Sequence, residues 1–314
     1  MEVRVVGESE ALASIDRRAV RESLRSAFAG LVQGTSVQPE QTVTVFPNGE
    51  GDCIFYPGVI WDLDLVGVKV SPYISSLAKL GESPVTAYTL LLSAKTGRPK
   101  VLCDSYALTT ARTAATTALA LEYLVPGSAR SLAVIGSGKV AREHMRYVLE
   151  QHSWESVRVF SPTLAESKSE DGAKRRADLA EFESATISGS AEEAVDGADV
   201  VMLCTSSGTP VISVDWLATN TVVTSISTNA PKAHELDPAA INQFSVFCDY
   251  RETAPTTAGE MVIATERGEW SANELVGDLP ELITGRATRP SSGRVFFRST
   301  GLGIEDLAIA NLLG

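Results

Sequence analysis

The sequence predicts an α/β protein, a Rossmann-type doubly wound sheet preceded by a smaller α+β lobe. Three observations carry that reading. Leu132-Ala-Val-Ile135 is a short apolar run, Gly136-Ser-Gly138 follows at once, and Ala141, Met145, Val148 and Leu149 then recur at helical spacing. Beyond residue 130, apolar runs alternate with helical patterns, as parallel βαβ units require. Before residue 105, β-branched runs separated by turn dipeptides dominate instead. The change of regime divides the chain into a lobe at 1–125 and a dinucleotide-binding domain at 126–292.

In the lobe, Val3 to Val6 reads as a strand, and Val20, Leu24 and Phe28 at fourfold spacing mark an amphipathic helix. Thr42 to Phe46 is β-branched and reads as a strand, Asn48-Gly49 and Glu50-Gly51 turn the chain, and Cys53 to Tyr56 returns. Leu63 to Val70 is a strand that carries Lys69; Thr86 to Ser93 and Lys100 to Cys103 are two more, joined across Thr96-Gly97. A helix runs from about Ala107 to Leu124, with Ala114, Ala118 and Leu121 on one face, and Val125-Pro-Gly127 closes it. A lysine on an apolar strand either snorkels to solvent or is held for a reason. Arg112, in a helix otherwise of Ala, Thr and Leu, either pairs at the surface or offers its planar fork to a carboxylate.

In the second domain, strands are expected at 132–135, 157–160, near Thr186, and at 199–204, 222–226 and 245–248. Helices are expected at Val140 to Gln151 and Ala191 to Val195. The polar stretch 163–176 reads as an exposed loop and helix, with Lys174-Arg-Arg176 a solvated face. Near the end, Val295 to Phe297 reads as a strand, followed by a glycine turn and a helix start.

Gly136-x-Gly138-x-x-Ala141 between strand and helix is the dinucleotide fingerprint. Gly136 permits the tight turn, Gly138 lets backbone approach a pyrophosphate, and Ala141 keeps helix close to sheet. Ser137, Lys139 and Val140 complete the loop that would present its N–H groups to the phosphates. Thr205 and Ser206 follow a buried strand at the carboxyl edge of the sheet, where ligands bind in open α/β sheets.

A net charge of −12 argues against nucleic acid and anionic membrane surfaces as partners. No apolar run approaches a membrane span and no signal-peptide pattern opens the chain, so a cytoplasmic setting is expected. Cys53, Cys103, Cys204 and Cys248 are scattered, with neither a disulfide framework nor a CxxC site. The three histidines stand in no ligand spacing, so no protein-built metal site is expected.

Gly67-Val-Lys-Val70, Arg112-Thr-Ala-Ala115, Val134-Ile-Gly-Ser-Gly138, the run from Ala198 to Thr205, Glu235-Leu-Asp-Pro238, Gly259-Glu260 and Gly301-Leu-Gly-Ile-Glu-Asp-Leu-Ala308 occur in the order seen in one family. Through them the sequence resembles the ornithine cyclodeaminase/mu-crystallin family over nearly its whole length. The resemblance implies hydride transfer between a nicotinamide cofactor and the α-carbon of a small amino or imino acid. It implies a homodimer built through the N-terminal lobes, and a C-terminal segment, 293–314, that returns to that lobe. It casts Lys69 as contact to the substrate carboxylate and proton donor, and Arg112 as receptor of the α-carboxylate, with Thr86 assisting. Ser299, Thr300 and Gly301 form a turn expected to close over the nicotinamide and substrate.

Two departures bear on the reaction. Gln41 stands where the family often has an arginine, which weakens a second carboxylate anchor. Asn229 stands where cyclodeaminases carry an aspartate, and an amide orients by hydrogen bonds but serves as no general base. The expected reaction is therefore reduction of an imino acid, such as the cyclic ketimine Δ1-pyrroline-2-carboxylate. Ornithine cyclodeamination, amino-acid dehydrogenation and non-catalytic ligand binding are the alternatives. The second strand of the nucleotide domain ends in Ser161-Pro-Thr163, with no acid to hold a ribose 2′-OH or repel a 2′-phosphate. Ser161 and Thr163 can donate to such a phosphate and Lys168 follows nearby, so NADP(H) is favoured over NAD(H), although the usual arginine is missing there.

Overall fold

The computed structural model describes residues 3–47, 49–166, 169–227 and 232–314. The chain forms two compact units, residues 1–115 with 301–314, and residues 116–300. The helix Tyr106–Leu124 runs without a break across the division between them.

In the first unit, the described residues form a seven-stranded sheet in the order Arg4–Val6, Pro99–Asp104, Tyr88–Leu92, Leu65–Ile74, Gly51–Ile60, Ser36–Val37, with Thr42–Val45 also paired to Gly51–Ile60. Only Arg4–Val6 runs parallel to its neighbour; the rest is hairpin-built, as the turn dipeptides demand. Leu63 lies in a single 3-10 turn, Trp61–Leu63, and the strand starts at Leu65 after Asp64, whose φ is 56°. Thr86 precedes its expected strand, which begins at Tyr88; the register sets Thr89 opposite Lys69.

The helix Arg17–Gln33 is capped by Asp16, which accepts from the Ala19 N–H at 2.7 Å, and Gly34 closes it in the left-handed region. Its Val20, Leu24 and Phe28 are fully buried, each worth about 1.5–3 kcal/mol of transfer free energy. The helix Gly303–Ala310 docks on the same core. A Cβ at Gly303 would stand 2.0 Å from the Pro57 carbonyl oxygen, so only glycine allows this approach of helix to strand. Ser23 Oγ donates to the Ala308 carbonyl at 2.9 Å, and Gln38 Oε1 accepts from the Ile304 N–H at 3.1 Å.

In the second unit, the described residues form an eight-stranded, wholly parallel sheet. Its order is Ala185–Ile187, Ser156–Phe160, Ser131–Ile135, Val200–Leu203, Val222–Ser225, Val295–Arg298, Ser245–Cys248, Gly277–Asp278. Strand order reverses between Ser131–Ile135 and Val200–Leu203, which opens a crevice at their carboxyl ends. The placement of Val295–Arg298 corrects the expectation that all of 293–314 joins the N-terminal lobe. This strand is buried between two parallel neighbours of the second unit, and only residues 301–314 belong to the first. The polar stretch after Phe160 forms two helices, Pro162–Ala165 and Glu170–Leu179, capped by Ser161 and Ser169. A Cβ at Gly172 would meet the Glu166 carbonyl oxygen at 2.2 Å, so the second helix packs tightly on the turn before it.

Candidate active site

The first unit buries four charged side chains together. Lys69, in the middle of the sheet, is 2% exposed, and its Nζ lies 2.8 Å from Asp306 Oδ2. Arg112 donates through Nε to Asp306 Oδ1 and through Nη1 to Glu305 Oε2, each at 3.1 Å. Both carboxylates project from the first turn of Gly303–Ala310, where the helix dipole favours negative charge. Tyr56, cross-strand from Lys69, places its ring centroid 4.1 Å from Nζ, a cation–π contact. Gly301, at φ +82°, lies so near the guanidinium that a Cβ would stand 2.4 Å from Arg112 Nη1.

These contacts set the protonation states. Burial pushes the Lys69 ammonium down, Asp306 draws it back up, Arg112 opposes it, and the balance is about 8. For Arg112, burial acts against the charge, but Asp306 and Glu305 outweigh it and hold the guanidinium above its ordinary value. Burial raises the Tyr56 phenol to about 12, so it stays protonated. The result is a charged lysine that can release its proton near pH 8, beside a permanently charged fork.

The second unit holds a pocket of about 440 Å³ at the strand-order reversal. Gly136, Ser137, Gly138, Lys139, Val140, Ser161, Thr163, Thr205 and Ser206 all line it. Gly136 has φ +126°, and a Cβ there would stand 2.3 Å from the Cys204 carbonyl oxygen, so glycine is required for this turn. Over Gly138 the nearest atom to a built Cβ is Arg175 Nη1 at 3.7 Å, which leaves that face open for a phosphate group. The helix Lys139–Gln151 starts here without a side-chain cap, so its first N–H groups are available to an anion. Such a cradle fits a dinucleotide. Thr205 is fixed by donating through both N and Oγ1 to Glu235 Oε1 at 2.7 Å.

Not every expected residue converges. Ser299 is buried and donates to Asp249 Oδ2 at 3.4 Å, outside the pocket lining. Thr86 is half-buried and bonded through its backbone to Pro72 and Ser71, while Thr89 takes the place facing Lys69. Gln41 is half-exposed ahead of Thr42–Val45, and its neighbour Gln38 makes the bond to Gly303–Ala310. Asn229 and Lys168 lie outside the described residues. His234 is half-exposed, with Nδ1 2.8 Å from the Lys232 carbonyl.

The sequence reading missed Glu305, Asp306, Tyr56 and Arg175. Glu305-Asp306 sits inside an otherwise apolar run, Leu302 to Ala310, and two acids in so apolar a helix were the available signal. Lys174-Arg-Arg176 is not one solvated face: Lys174 is exposed, but Arg175 lines the pocket and Arg176 donates to the Leu164 carbonyl.

A parallel sheet of this order, with a glycine cradle at its reversal, defines a dinucleotide-binding protein of Rossmann type. The chain belongs to the ornithine cyclodeaminase/mu-crystallin family, whose model matches residues 2–313. It is 47% identical over 311 residues to the NAD(P)H-dependent anabolic L-arginine dehydrogenase DauB of Pseudomonas aeruginosa, covering 98% of this chain and 96% of that one. It is 26% identical over 284 residues to a Δ1-pyrroline-2-carboxylate reductase of Bacillus cereus, covering 88% and 85% of the two chains. Among solved structures it resembles the Thermococcus litoralis Δ1-pyrroline-2-carboxylate reductase in complex with NADH and L-proline. The TM-score is 0.89 at 25% identity, over 99% of this chain and 96% of that one.

Proposed function

We propose that the protein is an NAD(P)H-dependent oxidoreductase that reduces the C=N bond of a 2-imino acid to an L-amino acid, and runs the reverse oxidation. The observation that carries this reading is the buried Lys69–Arg112–Glu305–Asp306 cluster, whose two cations and two carboxylates sum to zero. A zwitterionic amino or iminium acid enters such a cluster without adding net buried charge, whereas a simple anion or cation would. A bound nicotinamide supplies the hydride at the substrate α-carbon. Arg112 receives the α-carboxylate through its planar fork, and Lys69 gives the proton that the nitrogen takes up as the C=N bond is reduced. Asp306 positions both cations, and Gly301, with no side chain, lets the guanidinium lie against its backbone.

The substrate side chain is read as linear and basic, of the arginine type. The 47% identical relative supports this, while relatives at 25–26% identity support the cyclic ketimine. The first unit is read as the substrate-binding and dimerisation lobe. Val37, Val43, Val45 and Tyr88 of its sheet, with Trp61 in the 3-10 turn Trp61–Leu63, are exposed apolar side chains that a second copy of the chain would cover. A cytoplasmic setting accords with four free, buried cysteines. Asn229 places an amide where a cyclodeaminase would need a carboxylate, so release of proline and ammonia from ornithine is not expected.

The test is NADPH consumption with 2-oxo-5-guanidinopentanoate plus ammonia, compared with Δ1-pyrroline-2-carboxylate. Turnover of the open-chain substrate at the higher kcat/KM is expected. Turnover of the ketimine alone would reverse the side-chain assignment, and turnover of neither would end the oxidoreductase reading.

A further inference from the structure

The end of the second strand carries no arginine, but Arg175 lines the same pocket. It comes from the middle of the helix Glu170–Leu179, and its Nη1 reaches the Ser137 carbonyl at 3.3 Å, inside the glycine turn. Two arginines of the helix Lys139–Gln151 are neutralised: Arg142 pairs with Asp178 at 2.6 Å, and Arg146 pairs with Glu143 and Glu181. Among the described residues, Arg175 pairs with no carboxylate. The pocket it lines contains a second cation, Lys139, and no acid.

The position of the charge matters as much as its presence. A pyrophosphate belongs at the N–H groups that open Lys139–Gln151. The adenosine ribose belongs beside the end of the second strand, here Ser161. Ser161 Oγ lies 2.7 Å from Ser137 Oγ, and Ser137 is the residue whose carbonyl holds Arg175. The guanidinium, 3.7 Å from a Cβ built at Gly138, lines one pocket with Ser161 and Thr163, two neighbouring hydroxyl donors.

We propose that Arg175, with Ser161 and Thr163, forms a receptor for the 2′-phosphate of NADP(H), delivered by the following helix and not by the strand end. The inference rests on the nicotinamide-dinucleotide reading above and narrows it to the phosphorylated cofactor. A guanidinium with a carbonyl on one edge keeps its remaining N–H donors for a phosphate fork, and no carboxylate competes for the ribose hydroxyl. Gly172 fixes the geometry, because its tight packing on Glu166 locks the helix that presents Arg175.

The experiment is titration of the purified protein with NADPH and with NADH, followed by quenching of protein fluorescence, for the wild type, Arg175→Ala, Arg175→Lys and Lys174→Ala. The wild type is expected to bind NADPH more tightly. Arg175→Ala is expected to weaken NADPH by about tenfold or more and leave NADH within about twofold. Arg175→Lys should fall between, and Lys174→Ala, on the exposed side of the same helix, should change neither. Retained NADH binding shows that the variant is folded. Equal weakening of both cofactors would move Arg175 to the pyrophosphate and overturn the proposal, as would no change in either. A wild type that binds neither cofactor would overturn the proposed function and this inference together.

Discussion

A buried cluster in the first unit and a buried histidine in the second handle charge in opposite ways. The first buries Lys69 and Arg112 as charged groups and balances them with Glu305 and Asp306 at 2.8–3.1 Å. The second buries an ionisable group in its neutral form. His144 is fully buried, with Nε2 3.0 Å from Thr117 Oγ1 and Nδ1 2.8 Å from the Val140 carbonyl, and burial pushes it down to about 4. In the glycine-lined pocket of the second unit, by contrast, Arg175 has no carboxylate partner among the described residues. Paired buried charges make a neutral polar cluster suited to a zwitterion. An unpaired guanidinium among hydroxyls and backbone N–H groups creates a site suited to a phosphate.

The sharpest way to break this contrast is to remove a partner from the first cluster. Asp306→Ala leaves Lys69 and the Nε side of Arg112 buried without their main counter-charge, which typically costs about 3–5 kcal/mol. Urea unfolding should register that loss; a change under about 1 kcal/mol would mean that the cluster is not held by its charges. Lys69→Ala should lower kcat by roughly 10²-fold or more, the scale of a lost general acid. With Lys69 near 8, imine reduction needs the protonated form and should decline as pH rises through about 8. The oxidative direction should rise over the same range, and the variant should lose both limbs. A wild-type profile flat from pH 7 to 9 would remove Lys69 as the proton donor.

His144 sharpens the contrast from the other side. Its folded value lies below the ordinary 6.5, so its stabilising contribution is present above pH 6.5 and is lost as pH falls towards about 4. The loss amounts to at most about 3 kcal/mol. The wild type should therefore lose Tm on acidification beyond what His144→Gln loses, and parallel Tm curves for the two would deny the buried imidazole that role. Arg112→Lys is expected to act most mildly on the chemical step. It keeps the charge and loses the fork, so KM should rise more than kcat falls.

The glycine-lined pocket was legible because its turn is built from neighbours in sequence. Gly136 through Val140 are consecutive, and strand, turn and helix announce one another by periodicity. The first unit's cluster was half legible. Lys69 and Arg112 stand out as charges on apolar elements, but Arg112 meets Glu305 and Asp306 across separations of 193 and 194 residues. Periodicity carries no information about which distant acid lands beside which base. Arg175 was hidden by its flanks, since Lys174-Arg-Arg176 reads as one solvated face until the helix is set against the glycine turn. Val295–Arg298 was recognised as a strand, yet its sheet was not, because a buried apolar strand fits either core until its parallel partners are known.

The most direct test of the central claim follows the hydrogen itself. NADPH carrying deuterium at both nicotinamide C4 positions would be supplied with 2-oxo-5-guanidinopentanoate and ammonia, and the amino-acid product analysed by mass spectrometry. Hydride transfer to an imine carbon predicts one deuterium, at Cα, in the wild-type product, and little product from Lys69→Ala. Amino-acid product formed without deuterium at Cα would contradict the account.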